Sequence, residues 1–208
     1  MPVKILCVSD TVMPQLENAA NLRRRYNDIE LVVSCGDMPA VYLEYIVSVL
    51  NVPLFYVHGN HDEQYENTPP GGEDIHRRLV SYNGISFFGL EGSLRYRRGP
   101  FQYTQIQMLS MVTKAAPRLG FRRWQHGSAV DVLVTHSPAR GIHDGKDLPH
   151  TGFDSLLRFM EWYCPRYMVH GHVHTYDNRK TTRTKYRETC VVNINPFTVI
   201  DIEPLKHN

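Results

Sequence analysis

Apolar positions along this chain fall into short runs separated by polar clusters, and two periods alternate among them. Val3 to Val8, Ile29 to Ser34 and Val52 to Val57 are apolar runs rich in strand formers. Between them, about Gln15 to Tyr26 and Val41 to Leu50 carry apolar residues at helical spacing. The order strand, helix, strand, helix, strand predicts parallel strands joined by crossover helices, an α/β fold.

The middle of the chain changes character. Arg78 to Tyr82 and Ile85 to Leu90 flank Asn83-Gly84, the dipeptide of tight hairpins, and predict antiparallel pairing. Gln102 to Ala115 reads as a helix ended by Pro117, Val130 to Thr135 as a buried strand, Phe153 to Tyr163 as a helix and Tyr167 to His170 as a strand. Lys185 to Ile202 reads as two or three antiparallel strands with a turn near Asn195-Pro196. No repeat, low-complexity tract or linker interrupts the pattern, so residues 1 to 208 are expected to form a single domain.

Composition narrows the class. A hydrophobic fraction of 42% in 208 residues allows a sizeable core. The net charge is only +2, and the arginine runs at Arg23 to Arg25, Arg95 to Arg98 and Arg118 to Arg123 are interrupted, which gives little support to a nucleic-acid partner. No segment has the length of a membrane span, and Met1 to Asp10 does not resemble a secretory signal, so a cytoplasmic protein without a membrane partner is expected. Cys7, Cys35, Cys164 and Cys190 lie far apart without CxxC spacing and are expected to be buried thiols.

Five polar clusters follow apolar strands: Ser9-Asp10, Gly36-Asp37, Gly59-Asn60-His61-Asp62, Thr135-His136 and His170-Gly171-His172-Val173-His174. Open α/β sheets bind ligands at the carboxyl ends of their strands, so these clusters are expected to share one crevice. Singly, Asp10 and Asp37 suit helix caps or turns, Asn60 a turn, and each histidine a hydrogen-bonded structural position; the complete set reverses that reading. Carboxylates, a carboxamide and imidazoles make a mixed oxygen and nitrogen shell that suits manganese, iron, zinc or magnesium. The ligands are too many for one open ion. Two ions roughly 3.5–4 Å apart, sharing a carboxylate, would polarise phosphoryl oxygens and lower the pKa of a water between them.

Asp10, Gly36-Asp37, Gly59-Asn60-His61-Asp62, His136 and Gly171-His172-Val173-His174 together resemble the ordered motifs of the calcineurin-like metallophosphoesterases. The resemblance implies an α/β/β/α four-layer sandwich with two mixed central sheets. It implies that Asp37 bridges two divalent ions, with Asp10 and His174 completing one site and Asn60, His136 and His172 the other. It also implies His61 as general acid or charge stabiliser, oriented by Asp62, with manganese the metal of choice in vitro. The family's first motif is Asp-x-His, whereas Thr11 and Val12 follow Asp10 here, so the first ion is expected to bind weakly.

The expected activity is hydrolysis of a small phosphate ester, a diester rather than a monoester, by a hydroxide that the two ions activate. The alternative is a non-catalytic member of the same fold that serves as a protein-interaction scaffold, as a retromer subunit does; Val12 favours it. Arg95, Tyr96, Arg97 and Arg98 could reach over the crevice to hold phosphate, although a solvated loop is the simpler reading. His143 to His150 is placed at the substrate rim, with His150 a candidate to compensate for Val12. His58 and His170 end apolar runs and read as packing residues or as supports behind the ligands rather than as ligands, and Trp124 and Trp162 as core or surface packing residues.

Overall fold

The structure is a computed structural model and describes residues 1–173 and 182–205. The chain opens with β1 (Val3–Val8), a 3-10 turn (Pro14–Leu16), α1 (Ala19–Arg25), β2 (Leu31–Ser34), α2 (Ala40–Leu50) and β3 (Leu54–Tyr56). The helix expected from Gln15 to Tyr26 is therefore split. Pro14 starts the 3-10 turn, and Asn18 caps α1 by accepting the backbone N–H of Asn21 at 2.9 Å. A second 3-10 turn (Asp62–Glu66), β4 (Glu73–Asp74), β5 (Leu79–Tyr82) and β6 (Ile85–Leu90) follow. Tyr82 pairs with Ile85, leaving Asn83 and Gly84 as a two-residue loop at φ +45° and +80°, as the hairpin signal required.

Next come β7 (Ser93–Leu94), β8 (Gln102–Tyr103), α3 (Gln105–Lys114) and α4 (Ala116–His126). The helix starts later than Gln102 because Thr104 and Gln107 form a reciprocal capping box, while Gln102 and Tyr103 pair with β7. Pro117 does not end the helical region. It sits in the first turn of α4, where its missing N–H has no partner to lose, so a helix overlooked in the sequence begins there.

The chain finishes with β9 (Val132–Thr135), α5 (Asp154–Tyr163), β10 (Tyr167–His170), β11 (Arg183–Tyr186), β12 (Thr189–Asn193) and β13 (Phe197–Ile202). The strands form a five-stranded sheet, β13-β1-β2-β3-β4, a six-stranded sheet, β11-β12-β10-β9-β6-β5, and the β7–β8 pair. The tail is not a plain antiparallel meander: β11 and β12 form a hairpin, but β12 lies parallel to β10, and β13 crosses over to pair antiparallel with β1.

Strand alternation sets the layers. Ile5 and Cys7 point between the sheets, with Leu31, Val33 and Phe55, against Phe87, Val132, Val134 and Val169 of the second sheet. The Phe55 and Phe87 rings meet edge to face at 5.5 Å. Leu6 and Val8, one residue out of phase, point outward to Leu43 and Ile46 of α2. On the far side Phe88, Leu133 and Met168 pack against Met108 and Val112 of α3 and Phe159 of α5. The result is the expected sandwich of two mixed sheets between helices.

All four cysteines are free; Cys7 and Cys35 are buried as expected, whereas Cys164 is exposed and Cys190 half-buried. Trp124 and Trp162 take the surface positions that one of their two expected readings allowed. Among the described residues no helix is long and apolar enough to cross a membrane.

Candidate metal centre

The polar clusters do meet, but they come from two sheets rather than one. Asp10, Asp37 and Asn60 follow β1, β2 and β3 of the first sheet; His136 and His172 follow β9 and β10 of the second. Within each sheet, backbone bonds align neighbouring loops: Asp10 N–H donates to Gly36 O at 3.3 Å and Gly171 N–H to His136 O at 3.0 Å. Across the seam, His172 N–H donates to Asp10 Oδ2 at 2.8 Å, and His136 Nδ1–H donates to Cys35 O at 2.8 Å.

This convergence needs unusual backbone. Asp10, Asp37 and His172 take φ values of +63°, +56° and +67°, a region that costs a side-chain-bearing residue roughly 1–2 kcal/mol. Glycines permit the contact itself. A Cβ on Gly59 would lie 2.0 Å from Asp37 Oδ1, and one on Gly171 would lie 1.8 Å from Ser9 Oγ and 2.4 Å from Asp10 Oδ2.

Asp37 Oδ2 is 3.4 Å from His136 Nε2, which is also 3.0 Å from Asn60 Oδ1. Ligand atoms of Asp37, His136 and His172 all lie within 4.8 Å of one another. The histidine tautomers suit metal binding. His136 Nδ1 is committed to Cys35 O, and His172 Nε2 donates to Pro149 O at 2.8 Å, so each ring keeps its other nitrogen as an acceptor for a cation.

The electrostatics agree. Burial works against the charge of His136, yet Asp37, by charge and hydrogen bond, and Asp10 outweigh it and hold the imidazole at about 9. Burial likewise opposes ionisation of Asp37, but His136 and the His61 N–H bring it to about 2. Burial pulls His172 down to about 3 and raises Asp10. A buried pocket whose carboxylates draw positive charge onto His136 fits a divalent ion of the oxygen and nitrogen class.

Asp10, Asp37, Asn60, His136 and His172 are thus brought together; His174 lies outside the described residues. His61 is exposed at the mouth, its backbone N–H donating to Asp37 Oδ1 at 2.8 Å. Asp62 is placed differently from the expectation that it orients His61. Its Oδ2 accepts the backbone N–H groups of Gly59 at 2.7 Å and Asp37 at 2.8 Å, so it ties two loops together, and burial pushes its pKa up to about 6. Val12 packs against the apolar cluster under α2. His150 stands beside His172, ring centroids 5.1 Å apart, with Nδ1 held by Asp147 at 2.6 Å.

Arg95 does not reach the centre; its guanidinium binds Gln102 O and Gln107 Oε1. The neighbouring Tyr96 does, with Asn60 Nδ2 donating to its hydroxyl at 3.3 Å. His170 is buried as expected, facing His143 at 3.1 Å. His58 is half-buried and bonded to Glu91 at 2.9 Å. Sequence reading missed Glu91 altogether, since one carboxylate after a strand carries no signal without its partners.

Comparison with known proteins gives a consistent result. A family model described as calcineurin-like phosphoesterase matches residues 3–176. The UPF0046 protein K07C11.7 of Caenorhabditis elegans is 26% identical over 202 residues, covering 83% of this chain and 63% of its own length, so this chain spans under two thirds of that relative. Among solved structures, TT1561 of Thermus thermophilus superimposes with a TM-score of 0.63 at 13% identity, covering 98% of this chain and 100% of the other. Another reaches 0.65 at 16% identity, covering 97% and 95%.

Proposed function

We propose that this chain, which belongs to the calcineurin-like phosphoesterase family, hydrolyses a small phosphate ester at a centre for two divalent ions, manganese among those that serve. The observation that carries the reading is the convergence of Asp37, His136 and His172, with ligand atoms within 4.8 Å, from both sheets onto one seam. Asp37 is the bridging ligand in this reading. Asp10, with His174, holds one ion, and Asn60, His136 and His172 hold the other. When bound, the ions supply positive charge for phosphoryl oxygens and a water acidic enough to act as nucleophile near neutral pH.

The remaining work falls to the chain. His61, exposed at the mouth with its backbone pinned by Asp37, gives a proton to the leaving oxygen. Asp62 keeps the loops after β2 and β3 in register. Tyr96 fixes the Asn60 carboxamide so that its oxygen faces the centre. We favour a diester substrate. With Val12 in place of a histidine the first site has fewer ligands, and a diester carries one negative charge where a monoester carries up to two, so it asks less of the site.

A second reading, a non-catalytic scaffold of the same fold, draws support from Val12 alone, whose half-buried side chain packs against the apolar cluster under α2. Metal analysis of the purified protein, with a screen of generic monoesters and diesters with and without manganese, separates the two. The enzyme reading expects metal-dependent turnover that Asp37→Ala and His61→Ala reduce at least about 100-fold. A folded wild type that stays inert with every divalent ion leaves the scaffold.

A further inference from the structure

A second group of titratable side chains lies apart from the centre, where β3, β4 and β6 end. His58 Nδ1 is 2.9 Å from Glu91 Oε2 and 4.0 Å from Asp74 Oδ2, and the three ligand atoms lie within 4.8 Å of one another. The surroundings orient them. Glu91 Oε1 accepts the Tyr103 hydroxyl and faces His76 Nε2 at 3.4 Å. His76 Nδ1 accepts the Glu91 backbone N–H at 3.1 Å, so the proton of a neutral His76 sits on Nε2, toward that carboxylate. The backbone N–H of His76 donates to Asp74 Oδ1 at 2.8 Å, which leaves Oδ2 turned to His58. The His58 ring is fixed by stacking on Phe101 at 4.4 Å and 8°.

With neutral imidazoles this group carries two negative charges, and the Glu91 side chain is only 8% exposed. A buried carboxylate of this kind is stabilised by a cation beside it.

We propose that His58, Asp74 and Glu91 form a second, separate site for one divalent transition ion of the zinc type, with His76 and Tyr103 as the groups that orient Glu91. Bonds of about 2.0–2.2 Å put the ligand atoms of a tetrahedral ion roughly 3.3–3.6 Å apart. That spacing lies between the 2.9 and 4.0 Å found here, within reach of small side-chain rotations. Asp74, 40% exposed, leaves one side open to a water ligand. The ion would clamp the loop after β3, which leads to Asn60, onto the loop after β6, beside the bond from Gly92 N–H to His58 O at 2.8 Å.

The site is read by zinc content after equilibrium dialysis, so its failure is distinct from any failure of the hydrolase reading. Asp37→Ala/His136→Ala, which disables the first centre, is expected to retain one zinc per chain, and adding Asp74→Asn to abolish it with an unchanged circular dichroism spectrum. In the otherwise native chain, Asp74→Asn, at a half-exposed position that the fold tolerates, lowers the zinc count by one. Tyr103→Phe, which removes only an orienting donor, weakens zinc binding about 10–100-fold. Zinc content unaffected by Asp74→Asn in both backgrounds overturns the proposal, whatever the double variant does.

Discussion

The Asp10 carboxylate accepts the backbone N–H of His172 at 2.8 Å, joining the loop after β1 in one sheet to the loop after β10 in the other. Asparagine can accept the same bond, while burial disfavours the charge of Asp10. Asp10→Asn is therefore expected to leave stability in EDTA unchanged or up to about 1 kcal/mol higher, and to shrink the stabilisation that manganese adds. Thermal unfolding with and without manganese checks both halves.

Gly171→Ala drives a methyl into Ser9 Oγ and Asp10 Oδ2. The loops must separate, at a cost of roughly 1–3 kcal/mol. Urea unfolding should register that loss, and isothermal titration with manganese a weaker affinity at the centre.

Phe87 is fully buried between the sheets, edge to face with Phe55. Phe87→Ala should cost about 3–5 kcal/mol. Equilibrium unfolding in urea measures it, and a loss under about 1 kcal/mol would be inconsistent with the two sheets packing as described.

Tyr96→Phe removes the hydroxyl that receives Asn60 Nδ2. On the hydrolase reading, kcat/KM falls several-fold, in line with the roughly 0.5–1.5 kcal/mol of one hydrogen bond, while stability barely changes. Steady-state kinetics with a diester substrate checks this, and unaltered kinetics would remove Tyr96 from the site.

His143, which faces His170, gives a pH dependence of its own. Burial depresses its pKa in the folded protein, where Nε2 is 2.8 Å from Thr184 Oγ1. Protonation therefore favours the unfolded chain: the stability is fully present above the unfolded value of about 6.5 and is lost as pH falls from there toward the folded value. Urea midpoints measured in EDTA between about pH 7.5 and 5 should decline, and His143→Gln should flatten the decline.

Several features were legible because they depend on neighbours in sequence. The Asn83-Gly84 turn, the apolar runs of β1, β6 and β10, and the polar clusters after strands all follow from local backbone chemistry, and each lies where the pattern put it. Pro117 misled because the same residue both ends helices and begins them; only the docking of Leu119 into the core cluster selects the second role. The direction of β12 was hidden for a related reason. Alternating apolar residues state that a strand is buried, not which strand lies beside it.

What the sequence alone determined is the set of chemical groups and their exit points from strands, since a carboxylate or imidazole after an apolar run must emerge at a strand end. Tertiary structure decided which of them converge and which hold the loops. Asp37 meets His136 only because two sheets stack and their loops face each other across the seam. Asp62 turns to backbone N–H groups, and His58 finds Glu91, because those partners are brought close by folding and not by position along the chain. Side-chain roles of this kind rest on contacts a few ångströms long between residues tens of positions apart, a length scale that periodicity along the chain does not carry.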